Sequence, residues 1–370
     1  MKKTVISLIL LGTALLAGCS GDDDNTLATA NAPKIIIDSD FNTMGDDGQL
    51  FVMATQLMAQ GKVNVLGLTV ESGNGWLLQE QSDALKAAER MGVAQQIGVY
   101  AGANYALMYD QTSIQAQMAA NPNGWFGAWM FPEPQSAADL TAPPDGFATS
   151  NTLRSQNASD FMITTIKAHP HEVIILEVGP PTNLALALRK APEIAPLIKA
   201  IVYMGGNINV PGNANAVAEM NWWFDPVAVS EILQQDIPQS VIPLDVTDTV
   251  PLDQATFDAI AHNPAKQTVV TQIYDTENAR FLGPDAHIFD TLTIAYLLDP
   301  TMATQTTDAW LAINTTPGEQ QGQVTASTTA PIAGGSLRKI RYVSKFDNTR
   351  FLAQYIDLMT RPVPVTLPAF

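Results

Sequence analysis

Ten consecutive residues, Asp38-Ser39-Asp40-Phe41-Asn42-Thr43-Met44-Gly45-Asp46-Asp47, carry four carboxylates directly after the apolar run Ile35-Ile36-Ile37. Like charges packed so closely repel one another, and they stay ionised only if a cation or strong hydrogen-bond donors sit among them. The chain has four His and one Cys in all, so the ligands that favour zinc are scarce. A hard cation that takes carboxylates, carbonyls and water, calcium before magnesium, is the simplest partner for such a segment. Taken alone, the segment also fits a solvated acidic loop or a helix N-terminus capped by Asp.

The elements that must position these groups alternate in type. Apolar runs at 34–37, 63–70, 98–101, 173–178, 201–204 and 239–244 read as strands, and amphipathic stretches at 77–91, 157–168 and 183–191 read as helices. This alternation predicts an α/β fold with a mainly parallel sheet buried on both faces. Ligands of such sheets sit beyond the carboxyl ends of the strands. The acidic segment and the turns Ser72-Gly73-Asn74, Gly179-Pro180-Pro181-Thr182-Asn183 and Gly205-Gly206 all follow expected strands, so they should share one rim. Residues 104–150 break the rhythm with Trp125, Phe126, Trp129 and Phe131. Aromatics in that number point to a packed cap, serving either as a lid at the site or as plain packing or an oligomer contact. Residues 313–336, rich in Thr, Gly, Gln and Ala, read as exposed hairpin or loop.

The chain opens Met1-Lys2-Lys3, runs apolar from Val5 to Leu16 and reaches Leu16-Ala17-Gly18-Cys19, the three regions of a secretory signal. The last four residues resemble the lipobox of bacterial lipoproteins, in which the cysteine is lipidated and becomes the mature N-terminus. That resemblance makes Cys19 a lipid anchor, residues 1–19 the signal and 20–32 a tether. Ser20, a non-Asp residue after the cysteine, implies by the same resemblance an outer-membrane anchor facing the periplasm. An ordinary cleaved signal with a coincidental cysteine is the other reading. The apolar run is shorter than the roughly 20 residues of a comfortable transmembrane helix. With a single cysteine the mature chain forms no internal disulfide, and stability must come from a large core, for which 46% apolar composition is adequate. A formal charge of -17 argues against nucleic acid as a partner and against a polybasic hold on anionic lipid.

Several blocks, in order, resemble the nucleoside hydrolases, calcium-dependent enzymes that cleave the N-glycosidic bond of ribonucleosides. They are the acidic segment, Gly73-Asn74, Val99-Tyr100-Ala101-Gly102, Val178 to Asn183, Met204-Gly205-Gly206, Ala218-Glu219-Met220-Asn221 with Asp225-Pro226 behind, and Phe289-Asp290 leading to Ala295-Tyr296. The resemblance runs from about Lys34 to Arg361. It implies a single large domain over 33–370 with a Rossmann-like sheet, a nucleoside substrate, bound Ca2+ and, by analogy, a homo-oligomer. By position, Asp40, Asp47, Asp290 and the Val178 carbonyl match calcium ligands, and Asp40 also matches the base that takes a proton from water. Asp46, Asn74, Glu219 and Asn221 match ribose-binding positions, with Met204 near the sugar. The loop between Asp40 and Asp47 is longer than the family's usual spacing.

The chemistry suits those residue types, because the departing base leaves positive charge on the ribose ring, as in glycoside hydrolysis, and carboxylates favour it. Many members keep a His just before the last calcium aspartate to protonate the base. Here that position is Phe289, with His287 two residues earlier. Either Phe289 stacks the base, with help from Trp76 or an aromatic of 104–150, or His287 is the acid. Stacking places purine nucleosides modestly ahead of pyrimidine ones. A nucleoside- or sugar-binding lipoprotein without catalysis is the main alternative, and a phosphate loop at Gly205-Gly206-Asn207 is a weaker one, lacking any accompanying Lys or Arg. The full set Asp40, Asp46, Asp47, Asn74 and Asp290 favours the hydrolase, since a binder gains nothing from holding a water against C1′.

Overall fold

In the computed structural model, which describes residues 31–284, 286–368 and 370, the first apolar run becomes β1 (Lys34–Ser39). Its isoleucines divide between the two faces of a sheet, Ile35 and Ile37 on one side and Ile36 on the other, each at most 1% exposed. Burial on both faces is why the run is continuously apolar and not alternating. The signal, with Cys19, and the tether as far as residue 30 lie outside the described residues.

The other five expected strands form as β2 (Asn64–Val70), β3 (Val99–Ala101), β4 (Val173–Glu177), β5 (Ala200–Met204) and β6 (Gln239–Ile242). They lie parallel in the order β3-β2-β1-β4-β5-β6. Three further strands extend the sheet beyond β6: β9 (Ile340–Phe346) parallel to it, then β7 (Ala303–Ile313) and β8 (Val324–Ser327), both antiparallel to their neighbours. The sequence signal missed β7 because its first half, Ala303 to Asp308, is polar and mostly exposed. The segment read as hairpin or loop at 313–336 holds the turn between β7 and β8. The result is one α/β domain with a mostly parallel central sheet.

Helices cover both faces. Asp46–Ala59, Leu77–Arg90, Thr291–Leu298 and Asn348–Met359 pack on the side of Ile35 and Ile37, and Ala158–Ala168, Thr182–Lys190 and Pro226–Leu233 on the side of Ile36. Chain order reverses between β1 and β4: β2 and β3 lie to one side of β1, and β4, β5 and β6 to the other. Such a switch point opens a crevice at the carboxyl ends of the two strands.

The aromatic segment 104–150 is a packed cap on that rim. Phe126 and Ala128 join Trp76, Met220, Trp223 and Phe224 in a third buried cluster, separate from the two sheet faces. The backbone of Ala128 donates to the carbonyl of Gly73 at 2.7 Å. Gly127 makes this approach feasible: its φ is +54, and a Cβ there would lie 1.8 Å from the same carbonyl. Gly127→Ala combines left-handed backbone strain of about 1–2 kcal/mol with that clash, so it should undock the cap. Limited proteolysis followed by mass spectrometry should show new cuts within 104–150, and an unchanged cleavage pattern and melting temperature would refute the docking role.

Candidate active site

Asp40 stands one residue beyond β1, and Asp46 and Asp47 open the helix Asp46–Ala59, where free N–H groups and the helix dipole favour negative charge. The residues that lengthen the loop between them fold inward. Phe41 is fully buried with its ring edge-on to Phe51 at 5.9 Å, and the carbonyl of Met44 accepts from Gln49 Nε2 at 3.1 Å and Asn278 Nδ2 at 2.9 Å. The longer spacing therefore leaves the carboxylates in fixed positions. Ser39 Oγ donates to Asp47 Oδ1 at 2.6 Å, and Asn42 Nδ2 donates to Asp47 Oδ2 at 3.0 Å and Asp46 Oδ1 at 3.2 Å.

Asn74 ties the cluster to β2. Its backbone N–H donates to Asp40 Oδ2 at 2.7 Å, and its side-chain amide donates to the Asp40 carbonyl and to Asp47 Oδ2, each at 3.0 Å. Gly73 is required beside it, because a Cβ there would lie 2.2 Å from Asp40 Oδ2. Asp290 arrives from the far end of the chain, at the start of the helix Thr291–Leu298, with 1% exposure. Carboxylate oxygens of Asp46, Asp47 and Asp290 lie within 4.8 Å of one another. The sequence grouped Asp40, Asp47 and Asp290 as ligands; the group brought within 4.8 Å contains Asp46 with Asp47 and Asp290, and Asn74 holds Asp40 alongside.

Burial pushes the carboxyls of Asp40, Asp47 and Asp290 well above the ordinary range, and repulsion from the neighbouring aspartates adds to it. Asp46 is raised as well, again chiefly by burial. A largely buried group of acids whose ligand atoms are all oxygen fits a hard metal ion, and the cluster could hold one.

The opposite wall comes from β4, β5 and the short helix Met220–Phe224. Asn221 Nδ2 donates to the Val178 carbonyl at 2.9 Å and to the Met204 carbonyl at 3.2 Å, joining two strand ends. Glu219 caps the helix: its carboxylate accepts from the N–H groups of Asn221 at 2.7 Å, Trp222 at 3.1 Å and Gly206 at 2.8 Å. Burial still raises its pKa to about 7, against those three backbone donors. Glu219, matched by resemblance to a ribose-binding position, therefore serves as the N-cap of this helix, and its oxygens accept from backbone.

Just before Asp290 in the chain, the rings of His287 and Phe289 stand 6.2 Å apart with their planes at 71°. The backbones of His287 and Pro251 pair in an isolated antiparallel bridge, and burial raises the pKa of Asp248. Phe289 is half-buried against the larger core. Trp76 belongs to the cap: it is 7% exposed and its indole N–H donates to the Phe131 carbonyl at 2.8 Å. Sequence reasoning gave no role to Ser39 and Asn42, although both stand inside the acidic segment, where a hydroxyl or amide between carboxylates is the signal that would have found them.

The family model described as inosine-uridine preferring nucleoside hydrolase matches residues 35–353. The chain belongs to this family. Among related nucleoside hydrolases, the pyrimidine-specific ribonucleoside hydrolase RihA of Citrobacter koseri is 30% identical over 287 residues, which is 75% of this chain and 83% of that one. An uncharacterised protein of Schizosaccharomyces pombe is 34% identical over 215 residues, 58% of this chain, and the match spans only 62% of its length. For RihA of Escherichia coli O139:H28 that share is 61%. Of solved structures, an inosine-guanosine nucleoside hydrolase superposes with a TM-score of 0.71 at 23% identity over 88% of this chain and 98% of its own. A purine-preferring ribonucleoside hydrolase from Gardnerella vaginalis gives 0.68 at 23% identity, over 88% and 98%. These likenesses establish the nucleoside hydrolase fold.

Proposed function

We propose that this chain hydrolyses the N-glycosidic bond of ribonucleosides to free base and ribose, with calcium held at the acidic rim. The observation that carries the reading is the meeting of Asp46, Asp47 and Asp290, drawn from opposite ends of the chain, beside Asp40 at the switch point of a nucleoside hydrolase sheet. Asp40, Asp47, Asp290 and the Val178 carbonyl are the groups assigned to the ion. That carbonyl spends one lone pair on Asn221 and has a second to offer. A bound cation lowers the pKa of water and orients sugar hydroxyls.

The chain's own residues account for the rest. Asp40 receives the Asn74 N–H on one oxygen, which fixes its carboxylate while the other oxygen takes the proton of the attacking water. The water oxygen bonds to C1′, the C1′–N bond breaks with its electron pair leaving on the base, and solvent supplies the proton that the base gains. Carboxylates around the ribose stabilise the positive charge that forms on the ring. Asp46 and Asn221 bind ribose hydroxyls, and Glu219 acts as a positioning residue by fixing the backbone of Asn221. Phe289 stacks the base, which favours purine nucleosides modestly; the relatives themselves divide, pyrimidine-specific in RihA and purine-preferring in the Gardnerella protein. The N-terminal segment supports a lipid anchor on Cys19 to the outer membrane, and the family analogy supports a homo-oligomer.

A panel of purine and pyrimidine ribonucleosides and deoxynucleosides, with the released base detected directly, tests the reading. Base should appear from ribonucleosides, stop on addition of EDTA and return with calcium. Tight nucleoside binding with no base released from any member would establish the binding lipoprotein instead.

A further inference from the structure

Beneath the rim lies a second group of acids that hydrolysis does not use. Asp38 and Glu177 pair directly across β1 and β4, and Glu71 follows β2 two residues after Thr69, the partner of Asp38 on the other side. Strand alternation therefore places all three on the Ile36 face. Each is fully buried, and their carboxylate oxygens lie within 4.8 Å of one another. Asn183 Nδ2 satisfies one oxygen of Asp38 at 2.9 Å. The second oxygen of Asp38 and both oxygens of Glu71 and Glu177 are buried without a hydrogen-bond donor, and one oxygen of each residue belongs to the group within 4.8 Å.

That is an unusual concentration, since buried polar atoms without partners are few in folded proteins. The charges that act most strongly on Glu71 and Glu177 are negative, those of Asp38 and Asp40 on both and that of Glu177 on Glu71. The group also adjoins the rim: a Cβ on Gly179 would lie 2.7 Å from both Glu71 Oε1 and the Asp40 backbone nitrogen.

We propose that Asp38, Glu71 and Glu177 form a second cation site that takes a calcium-sized divalent ion behind the hydrolytic rim. Five unclaimed oxygens, with Asp38 Oδ1 beside them, approach the roughly six to eight that calcium takes. Its flexible coordination suits acids from three strands, whereas magnesium keeps several waters and suits a dry cage less. Zinc has neither nitrogen nor sulfur here. The ion supplies the positive charge this interior otherwise lacks. It also braces the ends of β2, β1 and β4, whose following residues include Asn74, Asp40 and Val178.

Full-length protein stripped with a chelator and dialysed against calcium chloride should bind two equivalents by elemental analysis. Glu71→Gln/Glu177→Gln should bind one, and Asp47→Asn should lose the other, with circular dichroism verifying that each variant is folded. Crystals of the unaltered protein soaked in manganese chloride locate the ions without any substitution, and anomalous scattering should show a peak among Asp38, Glu71 and Glu177. A single equivalent with no peak there overturns the proposal, the acids then holding protons in place of a metal. Two equivalents retained by the folded double variant overturn it equally. Loss of the rim ion alone, with the inner peak kept, would count against the proposed hydrolytic site and support this one.

Discussion

Asp40→Asn is expected to lower kcat by about 10³–10⁴-fold on the best ribonucleoside, with less than about tenfold change in KM. The substitution is nearly isosteric. The Asn74 N–H, 2.7 Å from Oδ2, still finds an amide oxygen to bond, so the loop and the cap above Gly73 should hold their places. Proton-accepting capacity is lost, and so is one negative charge of a cluster in which Asp40, Asp46, Asp47 and Asp290 act on one another. Both losses fall on the transition state, where water surrenders its proton and the ribose becomes positive, more than on the bound ground state. Calcium content of the purified variant separates removal of the base from removal of the ion. Retention of more than about a tenth of wild-type turnover would exclude Asp40 as the base.

Leaving-group activation gives the second large effect, and two residues compete for it. Should Phe289 stack the base, Phe289→Ala should raise the barrier for purine nucleosides by about 1–3 kcal/mol, and His287→Ala should change little. Were His287 the acid, its loss should cost roughly 100-fold or more and remove a step from the pH profile. The stacking proposal rests on position, since Phe289 immediately precedes Asp290 and His287 stands two residues earlier, where its backbone bridges Pro251. Turnover of inosine and of p-nitrophenyl riboside, whose leaving group needs no proton, distinguishes the two. A His287→Ala variant crippled on inosine and intact on the nitrophenyl substrate would defeat the stacking assignment.

Several features were legible in the residues themselves. Continuous apolar runs announced six parallel strands, because a strand buried on both faces cannot carry alternating polarity, and all six are present. The turns after β2, β4 and β5 could be assigned to one rim with the acidic segment, since parallel strands present all their carboxyl ends on the same side. The order of the motifs carried the family resemblance, which the family match over residues 35–353 bears out, and the acidity marked the segment as a candidate metal site.

Tertiary structure decided what depends on distance between residues far apart in sequence. Only folding brings Asp290 to Asp46 and Asp47, or shows that the amide of Asn74 bridges Asp40 and Asp47 and that the carboxylate of Glu219 is consumed by three backbone donors. Packing alone reveals that 104–150 builds its own buried cluster through an approach at Gly127 that no Cβ could share. The exposed, polar start of β7 left no hydrophobic signature, so the antiparallel edge could be seen only in its pairing with β9. Glu71 and Glu177, more than a hundred residues apart, read as ordinary charged residues until strand register buries both against Asp38. A linear sequence carries residue types and local period, whereas burial and the repulsion of like charges arise only when the sheet sets those residues side by side.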